Sequence, residues 1–304
     1  MRKKIVVHIG THKTGTTTIQ NVFETNRAEL KTLGVLYPAT NREPYPGLPK
    51  HTSVFHAMGN TESAEVERKI LLEEFEKSNC KFMIISEEGL AEPRPGALRF
   101  FAPFTENYDI HVVAYLRRQD VFVESLYNQF VRERGEQRLI SEFCRAPKIK
   151  SRLDYHGILT SWRELGTVSA FNFDSVKSRL SDSLLEAVGA PILNGHETRE
   201  NVSPDMRIIT ALVYMHRTGL KFDRQAMLNT YKKVYTGQAV KKTILGANLR
   251  AEVLQWCAPS NEKLKSDFGV SFNNENPIES FYPNDIPELD AAFAALALMS
   301  AEGR

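Results

Sequence analysis

The chain has 304 residues, enough for one large domain or two small ones, and its 42% apolar and 25% charged residues are ordinary for a soluble globular protein. A formal net charge of +2 is too small to point to nucleic acid or an anionic membrane as partner, though it leaves room for a local basic site. The three cysteines, Cys80, Cys144 and Cys257, lie far apart without C-x-x-C spacing, so no zinc site or disulfide framework is indicated and a reducing, cytoplasmic setting is expected.

The N-terminus MRKK is basic, but the apolar run behind it ends by Gly10, too short for the core of a signal peptide. No stretch approaches the ~18 apolar residues that would span a bilayer. The first element is Ile5–Gln20, IVVHIGTHKTGTTTIQ. A short apolar run from Ile5 to Val7 leads to Gly10, and Gly15 opens an amphipathic stretch from Thr16 to Leu33, which predicts strand, tight loop and helix. Lys13 and the hydroxyls of Thr14, Thr16, Thr17 and Thr18 crowd the turn. Such a loop aims backbone N–H groups and a helix N-terminus at one point, and so suits an anion. The nucleotide-triphosphate pattern G-x-x-x-x-G-K-[ST] places its lysine after the second glycine. Here Lys13 precedes Gly15 and a threonine follows it.

The order H-K-T-G-T-T resembles the 5′-phosphosulfate loop of sulfotransferases that use 3′-phosphoadenosine-5′-phosphosulfate (PAPS). The resemblance implies His12, Lys13, Thr14, Gly15, Thr16 and Thr17 as cofactor-binding residues. It also implies the P-loop-type three-layer α/β fold of that family, a mainly parallel central sheet flanked by helices. Animal Golgi members would carry a membrane anchor, so a soluble, bacterial-type enzyme is expected.

Gly34 to Pro49 is rich in Pro, Gly, Asn and Tyr and reads as an irregular surface segment. His51 and His56 follow, five apart and so off the i, i+4 spacing of helical metal ligands; no metal site is expected. Ser63–Lys77 is helical by the recurrence of Val66, Ile70, Leu71 and Phe75. Lys81–Ser86 (KFMIIS) is a continuous apolar run of the kind that makes a buried parallel strand. It ends in Glu87 and Glu88, carboxylates at a strand end, where open α/β sheets bind their ligands.

Asp109–Leu116 (DIHVVAYL) is the next buried strand, followed by Arg117, Arg118 and a helix to Arg134. Arg117 and Ser125 are eight apart. This resembles the second sulfotransferase signature, in which a strand-end arginine and a serine eight residues later hold the 3′-phosphate of PAPS. An arginine offers phosphate a bidentate fork.

Beyond it, Asp154 begins a helix in which Tyr155 and Trp162 share one face, and Thr167–Phe171 is a strand. Asp174 is expected to cap a helix through Val188, ended by Gly189 and Pro191. Asn201 and Ser203 loosely resemble an Asn-x-Ser turn of the bacterial enzymes. Helices are expected from Ser203–Pro204 to His216 and over Arg224–Val234, with Lys232, Lys233, Lys241 and Lys242 clustered around Gly237. Asn248–Phe268 includes SNEKL and ends near an F-G pair, resembling a stretch near the end of bacterial sulfotransferases. Glu288–Met299 reads as an alanine-rich final helix. A single domain over 1–304 is expected, with its core sheet in about 1–190 and a mostly helical part in about 191–304.

The resemblance implies a reaction. Lys13 would hold the 5′-phosphate and stabilise the oxygen that leaves sulfur, and Arg117 with Ser125 would select PAPS over ATP. A carboxylate would take the proton of the acceptor hydroxyl, on a carbohydrate, glycolipid or small metabolite. Related chains commonly read Ser-Ser-Glu where this one reads Ser86-Glu87-Glu88, which favours Glu88 over Glu87 as the base. His8, His12 and His51 are alternative bases. A P-loop kinase, or a non-catalytic nucleotide or glycan binder on the same fold, are the other readings. Oligomeric state is not legible.

Overall fold

The computed structural model describes residues 2–11, 13–39, 48–92, 95–193, 206–219, 221–234 and 243–273, with 232–234 as backbone alone. His12, the Asn201–Ser203 turn, Lys241, Lys242, the side chains of Lys232 and Lys233, and the Glu288–Met299 segment lie outside that description. In chain order the elements are β1 (Lys4–His8), α1 (Thr16–Thr25), α2 (Arg27–Thr32), β2 (Val35–Leu36), α3 (Thr52–Ala57), α4 (Thr61–Lys77), β3 (Phe82–Ser86) and α5 (Pro95–Phe101). There follow β4 (Asp109–Leu116), α6 (Gln119–Arg134), α7 (Ile140–Arg145), α8 (Pro147–Lys150), α9 (Tyr155–Arg163), β5 (Thr167–Asn172) and α10 (Phe173–Val176). The last are α11 (Leu180–Val188), α12 (Met206–Thr218), α13 (Arg224–Val234) and α14 (Ala247–Phe268). The chain divides into two compact units. The first comprises Met1–Arg117, Asp154–Asn201 and Ala258–Phe272; the second comprises Arg118–Leu153, Val202–Cys257 and Asn273–Arg304.

The first unit is an α/β layer structure around a five-stranded, wholly parallel sheet of order β2-β3-β1-β4-β5. Its inner strands are apolar without alternation because both faces are covered. Ile5 and Val7, Met83 and Ile85, and Ile110, Val112 and Ala114 face α3, α4, α5, α9 and the end of α14, through Val54, Phe75, Phe101, Trp162 and Leu264. Val6, Ile84, Val113 and Tyr115 face the other way, onto Ile19 and Phe23 of α1, Leu30 of α2 and Leu184 of α11. Each such side chain contributes about 1.5–3 kcal/mol by leaving water. Tyr155 and Trp162 are both core residues. The three-layer parallel α/β fold expected from the sequence is the fold observed.

Topology singles out β1. The helices that follow it pack on one face, whereas α5, after β3, and α9, which leads into β5, pack on the other. Loops at the carboxyl end of β1 therefore part from their neighbours, and a reversal of this kind opens a crevice in doubly wound sheets.

Three local expectations change. The Thr16–Leu33 stretch is two helices, because the Asn26 side chain and backbone N–H both donate to the Val22 carbonyl, at 2.7 and 3.1 Å, and end α1 there. The Gly34–Pro49 segment contains β2, too short to give a period. The helix expected to run on from Asp174 is α10 and α11, and Asn172, not Asp174, caps it by accepting the Asp174 N–H at 3.0 Å. No helix among the described residues is long and apolar enough to cross a membrane.

The second unit is helical, built on α6, α7, α8, α12, α13 and the first half of α14 around Phe122, Leu126, Phe143, Ile209, Leu212 and Val253. Arg118, at the head of α6, forks onto buried Asp120 at 2.8 and 3.0 Å and donates to the Asn273 carbonyl at 2.8 Å. Arg250 binds the same carboxylate. Buried Glu124 accepts from Thr243 and from the Ile244 N–H, the latter at 2.7 Å; burial raises its carboxyl above the usual range.

Candidate functional site

The loop after β1 is tied down at its base and open at its mouth. The Ile9 N–H donates to the Val113 carbonyl at 3.1 Å, continuing the β1–β4 ladder one residue further. The Thr11 hydroxyl donates to the Tyr115 carbonyl at 2.8 Å, and the Thr14 hydroxyl to the Thr11 carbonyl at 2.6 Å. Both hydroxyls thus serve the loop itself. Lys13 and Gly15 take left-handed backbone conformations, φ 69° and 70°. That costs a non-glycine residue about 1–2 kcal/mol, so Lys13 is held there by the loop around it. Gly15 is the N-cap of α1, and a Cβ there would push the Leu180 side chain aside and come within 3.2 Å of the Phe173 ring.

At the start of α1 the Thr18 N–H already donates to the Gly15 carbonyl at 2.9 Å, while the N–H groups of Gly15, Thr16 and Thr17 precede the first intrahelical bond, and the helix dipole adds partial positive charge. The Thr16 hydroxyl lies there, buried and without a hydrogen-bond partner among the described residues. Gly10 lets the chain pass: a Cβ on it would strike the Thr16 Oγ1 and stand 2.9 Å from His8 Nε2. Thr17 is exposed and Lys13 half-buried.

Glu87 and Glu88 follow β3 and have different surroundings. Glu87 is 3% exposed. Its Oε1 accepts the Gly89 N–H at 3.1 Å and faces Lys50 Nζ at 3.4 Å, capping the short turn Glu88–Ala91, while Oε2 is buried without a partner among the described residues. Glu88 is half-buried, and its charge acts on His8. His8 itself is fully buried, which drives its imidazole down to about 4, and Glu88 partly opposes that shift. His51 extends β3 beyond its last strand pair: its N–H donates to the Ser86 carbonyl at 3.0 Å and its Nδ1 accepts the Ser86 N–H, also at 3.0 Å.

Arg117 stands at the carboxyl end of β4. Its carbonyl accepts from the Tyr155 hydroxyl at 2.9 Å, its guanidinium lies 5.4 Å from the Phe173 ring centre, and Asp174 is 3.8 Å from Nη2. Its Nε is buried without a partner among the described residues. Phe173 also borders Gly15, so one ring adjoins both the loop and the arginine. The first unit therefore brings Lys13, Gly15, Thr16, Glu87, Glu88 and Arg117 to the carboxyl rim of one sheet. Ser125 belongs to the second unit, half-buried in the second turn of α6. The two adjacent arginines separate cleanly: Asp120 takes Arg118, and Arg117 keeps a donor unspent. Among the described residues no group of three or more His, Cys, Asp or Glu side chains is placed to hold a metal ion.

Sequence reasoning missed the contact between His8, Ser86 and Gln20. His8 Nδ1 is 2.8 Å from Ser86 Oγ, which also accepts from Gln20 Nε2 at 3.1 Å. The available signal was the alignment of two apolar runs: in the parallel register His8 lies opposite Ser86.

No family model matches the sequence, and no curated protein matches it. Among solved structures, the chain is similar to a sulfotransferase from Alicyclobacillus acidocaldarius, with 12% identity over 90% of this chain and 97% of that one and a TM-score of 0.48. It is also similar to a retinol dehydratase solved with androsterone and the inactive cofactor PAP, with 13% identity over 90% of this chain and 83% of that one and a TM-score of 0.36. Likeness at this level bears on neither substrate nor residue roles.

Proposed function

We propose that the protein is a sulfotransferase that moves a sulfuryl group from PAPS to a hydroxyl of a carbohydrate, glycolipid or small metabolite in a cytoplasmic setting. One observation carries the reading. At the N-terminus of α1, beside the H-K-T-G-T-T loop, a buried threonine hydroxyl and a buried imidazole nitrogen converge on Gly10 without partners among the described residues. Unmet buried polar groups cost about 1–3 kcal/mol each, a cost that a bound oxyanion offsets. The kinase reading calls for a lysine after Gly15, where Thr16 stands.

In this reading Lys13, the N–H groups of Gly15 to Thr17 and the hydroxyls of Thr16 and Thr17 hold the 5′-phosphate, with His12 and Thr14 as the further contacts that the motif implies. The bond from sulfur to the bridging oxygen breaks as sulfur bonds to the acceptor oxygen, and Lys13 balances the charge growing on the leaving oxygen. The acceptor's proton passes to a carboxylate. Glu88, half-buried at the rim, is the better placed for that task, since Glu87 is only 3% exposed. Arg117, with Ser125 eight residues later in the sequence, holds the 3′-phosphate. The scheme requires no metal.

Calorimetry with 3′-phosphoadenosine-5′-phosphate (PAP), and with ATP and ADP in Mg²⁺, tests the reading. Tight binding of PAP over ADP is expected; preference for ATP with Mg²⁺ overturns it in favour of a kinase. PAP binding without PAPS-dependent transfer to any acceptor tried favours the non-catalytic binder.

A further inference from the structure

His8 supplies the unpartnered imidazole nitrogen beside Gly10 but is given no role in the scheme above, and its surroundings constrain it closely. It ends β1, is 0% exposed, and sets its ring edge-on to Tyr115 at 5.6 Å between centres. Nδ1 meets Ser86 Oγ at 2.8 Å. The far nitrogen, Nε2, is buried with no partner among the described residues and borders Gly10, where the unpartnered Thr16 hydroxyl also lies.

The Gln20 amide N–H donates to Ser86 Oγ, which has one proton of its own to give, either to His8 Nδ1 or to the Tyr37 hydroxyl, whose proton goes to the Pro49 carbonyl. When Nδ1 receives it, the single proton of a neutral imidazole sits on Nε2. Full burial keeps the ring neutral at physiological pH. An Nε2–H beside the start of α1 complements an anion, whereas the lone pair of the other tautomer would repel one.

We propose that His8 is an anion contact of the loop, donating Nε2–H to the group bound at the N-terminus of α1, in a tautomer fixed by the relay Gln20 to Ser86 to His8. This rests on reading the loop as the PAPS site, and it removes His8 from the set of general bases, because a base needs the Nε2 lone pair. The residue is then a neutral recognition group that adds a directed donor without adding charge beside Lys13.

The test uses the full chain labelled with ¹⁵N-histidine, observed by two-bond ¹H–¹⁵N correlation at neutral pH with and without PAP. The expected His8 pattern, assigned by its loss in His8→Gln, has Nδ1 unprotonated and Nε2 protonated, with the Nε2 signals shifting on addition of PAP. In binding, His8→Gln, which can present an amide N–H in the same direction, should keep PAP affinity within about threefold, and His8→Leu should weaken it about tenfold, the worth of one hydrogen bond. If PAP binds but His8 carries its proton on Nδ1, is an imidazolium, or does not respond, the His8 assignment falls and the cofactor reading stands. If the wild-type chain binds no PAP, both fall together.

Discussion

His8 and His111 lie at opposite rims of the same sheet, and burial lowers both imidazoles to about 4. At the amino rim, His111 Nε2 meets Ser169 Oγ at 2.8 Å, and Lys4 nearby donates to the Val188 carbonyl at 2.9 Å. At the carboxyl rim, His8 Nε2, Thr16 Oγ1, Glu87 Oε2 and Arg117 Nε are all buried without partners among the described residues. The residue type and the shift are the same; what differs is whether the last hydrogen bond is made. The ring nitrogen of His111 is satisfied from within the sheet. Other unpartnered buried atoms among the described residues, His216 Nε2 and Ser181 Oγ among them, are scattered; four gathered on one rim, where β1 reverses the layering, mark the side that a ligand completes.

The strongest way to break this comparison is Lys13→Ala. It should lower sulfuryl transfer about 10³-fold, the scale of losing a charge-stabilising group at a leaving oxygen. Its urea midpoint should stay close to wild type, because Lys13 is half-buried on a loop held by Thr11 and Thr14. A large loss of stability with little loss of turnover would make the carboxyl rim structural, like the amino one.

The second effect is common to both rims and concerns pH. Each histidine has a folded pKa of about 4 against 6.5 when unfolded, so between those values the unfolded chain binds more protons. Stability is therefore fully present above pH 6.5 and is lost as pH falls toward 4. From pH 7.5 to 5, each histidine should cost about 2 kcal/mol by this linkage. Urea unfolding at the two pH values checks it, and His8→Gln and His111→Gln should each remove about 2 kcal/mol of the change. An unchanged slope in His8→Gln would mean that the ring is not held neutral.

Arg117→Ala comes next. Losing a charge-assisted contact worth about 1.5–3 kcal/mol should weaken PAP binding roughly 10- to 100-fold and leave ADP binding alone. Equal loss for PAP and ADP would place Arg117 on some group other than the 3′-phosphate.

Much of the first unit was legible because it is made of long, unambiguous signals. IVV, FMII and IHVVAYL are continuous apolar runs, and only strands covered on both faces call for that pattern. Gly10 and Gly15 were legible because one admits close approach and the other a left-handed cap. What escaped was set by single side chains or by distance in the chain. Asn26 and Asn172 end and begin helices through one hydrogen bond each, and β2 is two residues long. Arg117 and Arg118 are indistinguishable as letters; their different fates depend on Asp120, whose carboxylate matches the fork of one of them. The Gln20–Ser86–His8 relay joins three segments that meet only once β1 and β3 are in register, and Gln20 by itself reads as a polar helix residue.

The smallest effect is the sharpest test of the comparison. Ser169→Ala removes the partner of His111 Nε2 and should cost about 1 kcal/mol of stability, the net worth of a hydrogen bond, with PAP affinity unchanged. Ser86→Ala makes the equivalent cut at the other rim, where the oxygen also holds Gln20. It should cost at least as much stability and should also weaken PAP binding, because it frees the His8 tautomer. Urea midpoints and calorimetry on the two variants separate the cases. If both lose stability alike and neither changes PAP affinity, the two histidines are the same kind of core residue, and the open nitrogen of His8 has no bearing on what the loop binds.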